Sequence, residues 1–205
     1  GRTVSAEGTA VADYLRGRGI DLDLVGWPIA DLRAVPALAY WAPEVDTVDE
    51  ETGEVRPGRA VHLGDHPAMV AAMRDRRGRL QAVHVTYLAC GFGPPTADGV
   101  WPVDKLRLPP GDDGAERKAK KMHGASWGTS IQLSAMPRHG PGAGRWLFGE
   151  GIETSLSVLM SVRASGEDAC VEAAGSLGNM AGRGVGQGPK HPWRKVKGTN
   201  RPQRR

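Results

Sequence analysis

The stretch Arg145-Trp146-Leu147-Phe148-Gly149-Glu150-Gly151-Ile152-Glu153-Thr154-Ser155-Leu156 decides how the C-terminal part of this 205-residue chain folds. Arg145 to Phe148 reads as a short apolar strand, and it runs straight into two glycines around an acid. Helical spacing takes over beyond them. Leu156, Leu159, Val162 and Arg163 recur on one side, so residues 153–164 are predicted as a helix that Gly166 ends. Ala169 to Ala174 then reads as a second short strand, followed by a tight turn, Gly175-Ser176-Leu177-Gly178. Strand, helix and strand of these lengths make a parallel βαβ unit. In open α/β sheets ligand chemistry gathers at the carboxyl ends of the strands. Glu150 falls one residue past such an end, between glycines that let the backbone turn tightly and a large partner approach. An acid at this position also suits a helix start, where the macrodipole favours negative charge, so the two roles stand side by side.

Upstream, Pro137 to Gly144 is a breaker-rich linker. Before it, Trp127 to Leu133 is predicted as a strand. A β-hairpin is expected at about 68–88: Met69 to Asp75, a turn closed by Asp75-x-x-Gly78, then Leu80 to Leu88 with Val83, Val85 and Tyr87 on one face. His84 falls on the opposite face and reads as an exposed strand residue. Residues 5–19 are predicted as a helix starting at Ser5, and Pro28 to Ala34 as a further short helix. Residues 36–64 look strand-poor, with a short strand at Ala39-Tyr40-Trp41 and an acidic loop from Glu44 to Arg59, and residues 89–115 read as a loop. The expected organisation is an α+β region over 1–137, an incomplete α/β domain with a parallel βαβ unit over 145–183, and a basic, disordered tail over 184–205.

Composition narrows the class. Charged residues make up 24% and apolar residues 40%, the balance of a globular protein. No apolar run approaches the roughly 18 residues of a membrane-spanning helix, and the N-terminus has no secretory core, so a cytoplasmic setting without membrane contact is expected. The opening residues read as the middle of a longer protein. Cys90 and Cys170 lie far apart outside any Cys-x-x-Cys pair, which excludes a zinc ribbon in this stretch; they are expected as two buried free thiols. Net charge is +4, concentrated in Glu116-Arg117-Lys118-Ala119-Lys120-Lys121-Met122-His123 and in the acid-free segment 185–205. Such clusters suit a polyanion partner, and equally a solvated surface and tail. Trp41, Trp101 and Trp127 could stack bases, with core packing as the default. Gly182 to Gly188 imitates a phosphate loop but lacks the Lys-Ser/Thr that would follow, and reads as linker.

The stretch from Trp146 to Ser157, followed by Ala173-Ala174-Gly175-Ser176-Leu177-Gly178-Asn179, resembles the first motif of Toprim domains in bacterial primases: apolar residues, Glu-Gly, a helix start, then a small strand ending in a Leu-Gly turn. Tyr14 to Ile20, Pro67 to Ala71, His84 to Leu88 and Lys120 to Gly124 resemble the domain that precedes Toprim in primase-like proteins of phages, plasmids and integrated elements. The resemblance implies a nucleotidyltransferase that makes RNA primers on single-stranded DNA from nucleotides, with Mg²⁺ as cofactor. It implies Glu150 as the catalytic and metal-site carboxylate and Lys118, Lys120, Lys121 and Arg145 as nucleic-acid contacts; Glu153, the second acid of the motif, is read first as a first-turn helix acid and second as a metal-site acid. The resemblance further implies a replicative helicase as partner and a zinc ribbon upstream. The family's later Asp-x-Asp is absent: no acid follows Glu172, and Asp21-Leu22-Asp23 lies in another region, where it reads as a solvated turn. The chain is therefore read as a fragment with half of a metal site. A Toprim nuclease, or a non-catalytic DNA-binding or replication-accessory module with a degenerate Toprim half, are the alternatives.

Overall fold

The computed structural model describes residues 2–43, 47–48, 55–56, 58–91, 97, 99, 102–111, 114–135, 144–181, 193–195 and 202–204. The expectations for Trp101, for the Gly182–Gly188 segment, and for most of the acidic loop, the linker and the tail lie outside the described residues. The chain runs through α1 (Ala10–Gly17), α2 (Leu22–Val25), β1 (Leu32–Pro43), β2 (Thr47–Val48), β3 (Val55–Arg56), β4 (Ala60–Arg74), β5 (Leu80–Cys90), β6 (Val103–Lys105), β7 (Lys120–Gly124) and β8 (Ile131–Gln132). It continues with β9 (Arg145–Gly149), α3 (Ile152–Ala164), β10 (Ala169–Ala173), α4 (Leu177–Ala181), β11 (Trp193–Lys195) and β12 (Pro202–Arg204). The architecture is mixed α+β. No described helix is long and apolar enough to cross a membrane.

An antiparallel sheet in the order β1-β4-β5-β6 dominates, and β7 also pairs with β5 beside β6. The hairpin turn forms as its residues dictate. The Asp75 carboxylate accepts from the amides of Arg77 at 2.8 Å and Arg79 at 3.0 Å, and Gly78 takes a positive φ of 75°. Region 36–64, expected to be strand-poor, instead holds most of β1 and the start of β4. Pro36 and Pro67 sit where the ladder skips. Register passes from Val35↔Ala68 to Leu38↔His66, leaving Pro36 and Pro67 unpaired at a bulge on edge strand β1. Pro28 to Ala34 is not helical; the short helix is α2, where the Asp21 carboxylate accepts from the amides of Asp23 and Leu24. Helix α1 is capped by Thr9, not Ser5, whose hydroxyl accepts from the Glu7 amide. Trp127 is exposed outside the short strand β8, and Cys90, a free thiol like Cys170, is exposed.

A second sheet has the order β8-β10-β9. β9 and β10 are parallel, from Ala169↔Arg145 to Ala173↔Gly149, with α3 as their crossover. β8 pairs antiparallel with β10, and Ser130 just before it bridges to Arg74 of β4. One buried cluster spans both sheets: Tyr14 and Leu15 of α1, Met69 and Met73 of β4, Leu88 of β5, Ile131 of β8, Leu156 and Leu159 of α3, and Val171 of β10. A smaller cluster of Tyr40, Ala68, Val85, Tyr87 and Leu106 covers the opposite face of the large sheet. The two sheets should unfold together. Ile131→Ala, at a fully buried junction position, is expected to cost about 3 kcal/mol and to preserve a single denaturant transition. Two separated transitions would show that the sheets do not share a core.

Candidate functional site

Glu150 follows the last residue of β9, and its environment is built by backbone. The Ala174 amide donates to the Gly149 carbonyl and the Gly175 amide to the Glu150 carbonyl, both at 2.8 Å, so the two strand-end loops are stitched together. Gly149 is required by packing: a Cβ there would lie 2.4 Å from the Ser155 Oγ of α3. Gly175, at φ 78°, presents its open face to Met73, Met122 and His84 of the large sheet. Asn179 fastens the second loop. Its amide nitrogen donates to the carbonyls of Thr129 and Ala174, each at 2.8 Å, and its carbonyl accepts from the Gly128 amide. The Glu150 side chain is exposed and makes no ion pair among the described residues. Those residues contain no group of three or more His, Cys, Asp or Glu able to hold a metal ion. They fit one carboxylate ligand of a hard-cation site, and not a closed site.

Glu153, expected as a second metal-site acid, is committed elsewhere. Its carboxylate accepts from the Tyr14 hydroxyl at 2.5 Å and pairs with Lys105 Nζ at 3.0 Å and Lys120 Nζ at 3.6 Å. Its side chain is only 14% exposed. Burial alone would push the carboxyl up. The Tyr14 hydroxyl, a helix amide and the two ammoniums outweigh that and hold it at about 2. Tyr14 responds oppositely: burial and its bond to the carboxylate push the phenol well above its ordinary range.

His84 is not exposed as its strand position suggested; it is 3% exposed. β5 is covered on both faces. Val83, Val85 and Tyr87 share the smaller cluster as expected, while Ala82 and Leu88, on the face of His84, belong to the larger one. Burial, together with nearby Lys120, lowers the His84 pKa to about 4, so the imidazole is neutral. Among the described residues, its Nδ1 and the Thr86 Oγ1 on the same face are buried without hydrogen bonds. Lys120 sits opposite Thr86 on β7, and Lys105 opposite Leu88 on β6.

The basic cluster divides because neighbouring strand residues face opposite ways. Lys118 and Lys120 line a groove of about 680 Å³ with Arg18, Lys105, Arg107 and Arg117, against two acids, Asp104 and Glu116. Lys121 turns to the other face. Its ammonium lies 3.6 Å from the Tyr40 ring centroid and 5.7 Å from that of Tyr87, and donates to the Trp41 carbonyl; burial lowers its pKa. Arg145 begins β9, at the opposite end of the strand from Glu150, and pairs with Glu167 at 3.3 Å. The structure thus gathers Glu153, Lys118 and Lys120 around one groove and leaves Lys121 and Arg145 outside it. Tyr14, Arg18, Lys105 and Arg107 were not anticipated, and only the topology brings them in. Arg117 belongs to the basic run that contains Lys118 and Lys120. Trp41 and Trp127 are both about half exposed, not core residues, and Trp41 packs on His62 at 5.1 Å between ring centroids.

The fold and the groove define an α+β module with a cationic groove, and Glu150 follows the end of β9. The chain belongs to the family described as a domain of unknown function, DUF7146, whose model matches residues 1–133. No curated protein and no solved structure matches the chain. The matched span carries Tyr14, His84, the groove residues and β8; Glu150 and Glu153 lie beyond it.

The His84 environment makes a pH prediction. Its folded pKa of about 4 lies below the ordinary histidine value of 6.5, so the unfolded chain binds the proton first. Stability tied to His84 is intact above pH 6.5 and is lost as pH falls from 6.5 towards 4, by roughly 3 kcal/mol at most. His84→Leu should flatten the pH dependence of Tm in that window. An unchanged profile would contradict the buried neutral histidine.

Proposed function

We propose that this chain is part of a Toprim-type, primase-like nucleotidyltransferase acting in the replication of a mobile element. The observation that carries the reading is the exposed Glu150 carboxylate at the carboxyl end of parallel strand β9, in the β9-α3-β10 unit. Parallel βαβ units place ligand chemistry at that end. The groove of Lys105, Lys118, Lys120 and the neighbouring arginines supplies the complementary charge for a nucleic-acid backbone. Glu150 would contribute one ligand to Mg²⁺, which when bound neutralises triphosphate charge and activates the attacking hydroxyl. Further ligands would come from substrate phosphates and from residues outside the described ones. Single-stranded DNA and nucleotides are the proposed substrates, and a replicative helicase the proposed partner.

A second reading is a non-catalytic DNA-binding module. It is favoured by Glu153, whose carboxylate is taken by Tyr14 and two lysines and is not left open for a cation. Primer synthesis by the full-length parent separates the readings. With labelled ribonucleotides on a single-stranded template, Glu150→Gln should reduce synthesis by about two orders of magnitude or more, with template binding retained. Undiminished synthesis would remove Glu150 from the chemistry. Absence of synthesis by the unaltered parent, with DNA binding intact, would favour the second reading.

A further inference from the structure

We propose that Lys105 and Lys120 form a phosphate-binding clamp that the chain's own Glu153 carboxylate occupies, so that a ligand phosphate enters the groove by displacing Glu153. The inference deepens the nucleic-acid reading by naming the contact point and what competes for it. Both lysines belong to two structures at once: they line the cationic groove, and they hold Glu153 at 3.0 and 3.6 Å. Their side chains remain 31% and 39% exposed, whereas Glu153 is 14% exposed. The ammoniums therefore face a ligand on the groove side while the carboxylate backs them from the protein side.

The chemistry of exchange is balanced. A phosphate oxygen is an anionic acceptor like the carboxylate oxygen, so it can take the same two ammonium donors. Ion pairs with partly solvated lysines are weak, and Glu153, once displaced, must turn towards water, because a carboxylate left buried without donors is strongly unfavourable. Beneath the clamp, two buried polar atoms lie outside the groove lining. His84 Nδ1 and Thr86 Oγ1 are buried without hydrogen bonds on the face of β5 to which Lys120 belongs. The charges of Lys120, Glu153 and Lys105 all act on His84. Around the clamp, Arg18, Arg107, Arg117 and Lys118 extend the positive surface along the groove, as needed for successive phosphates of one strand.

The test is equilibrium binding of a fluorescein-labelled single-stranded oligonucleotide, with a ribonucleoside triphosphate as a second probe. Glu153→Gln should tighten oligonucleotide binding by roughly threefold to tenfold and steepen its salt dependence, because freed lysines contact additional phosphate. Glu116→Gln removes the same charge from the groove wall without touching the clamp, and should give a smaller gain. Lys105→Ala and Lys120→Ala should weaken binding, and in either background Glu153→Gln should lose its effect. Tyr14→Phe keeps every charge but loosens Glu153, so it should move affinity the same way by a smaller step, which covers the case of a poorly folded Glu153 variant. A response confined to the triphosphate would keep the clamp and assign its phosphate to a nucleotide. Unchanged or weaker binding of both probes by Glu153→Gln, or an equal gain from Glu116→Gln, overturns the proposal. The readout involves no synthesis, so it stands or falls separately from the role of Glu150.

Discussion

Tyr14, Lys105 and Lys120 reach from α1, β6 and β7 to one carboxylate, Glu153 in the first turn of α3. Burying a carboxylate without partners is strongly unfavourable. With three donors converging on it, the same burial becomes a constraint. It fixes where the first turn of α3 sits against the large sheet, and the helix begins two residues after Glu150. The apolar core beneath supplies most of the driving force, since it runs unbroken from α1 through β8 to β10. A continuous hydrophobic cluster leaves some freedom of sliding. Directional ion pairs and a short hydroxyl–carboxylate bond restrict it, and thereby set the groove and the strand-end acid in one frame.

The family module does not stop at a fold boundary. Its matched span ends at residue 133, just beyond β8, and β8 pairs with β10 of the βαβ unit. Asn179 of α4, after β10, adds a second tie by bonding Thr129 and Gly128. The groove's cationic residues belong to the module, while Glu150 and Glu153 belong to the βαβ unit.

Local patterns were legible where one interaction decides the outcome. The Asp75-Gly78 turn, the β5 face of Val83, Val85 and Tyr87, the α3 stripe and the parallel β9-β10 pair all follow from spacing and turn chemistry. Long strands around Pro36 and Pro67 were not, because a proline that breaks a ladder in isolation is harmless at a bulge. His84 was misplaced because alternation reports two faces but not whether both are covered. Within the basic cluster, sequence spacing marked Lys118, Lys120 and Lys121 as one group. Strand alternation sends Lys121 into the Tyr40–Tyr87 aromatic face, and tertiary pairing brings in Lys105 from a distant segment. The place of Glu150 just past a strand end was legible from the apolar run before it, whereas the bond from Tyr14 to Glu153 spans more than a hundred residues, a separation no local pattern carries.

The joining of the two sheets by Glu153 through Lys105 is measured directly by a double-mutant cycle. Unfolding free energies of the unaltered chain, Lys105→Met, Glu153→Gln and the double variant isolate the pair from its surroundings. A favourable coupling of about 1–2 kcal/mol is expected. A coupling indistinguishable from zero would contradict the joining role and leave the groove and the strand-end acid held together by apolar packing alone.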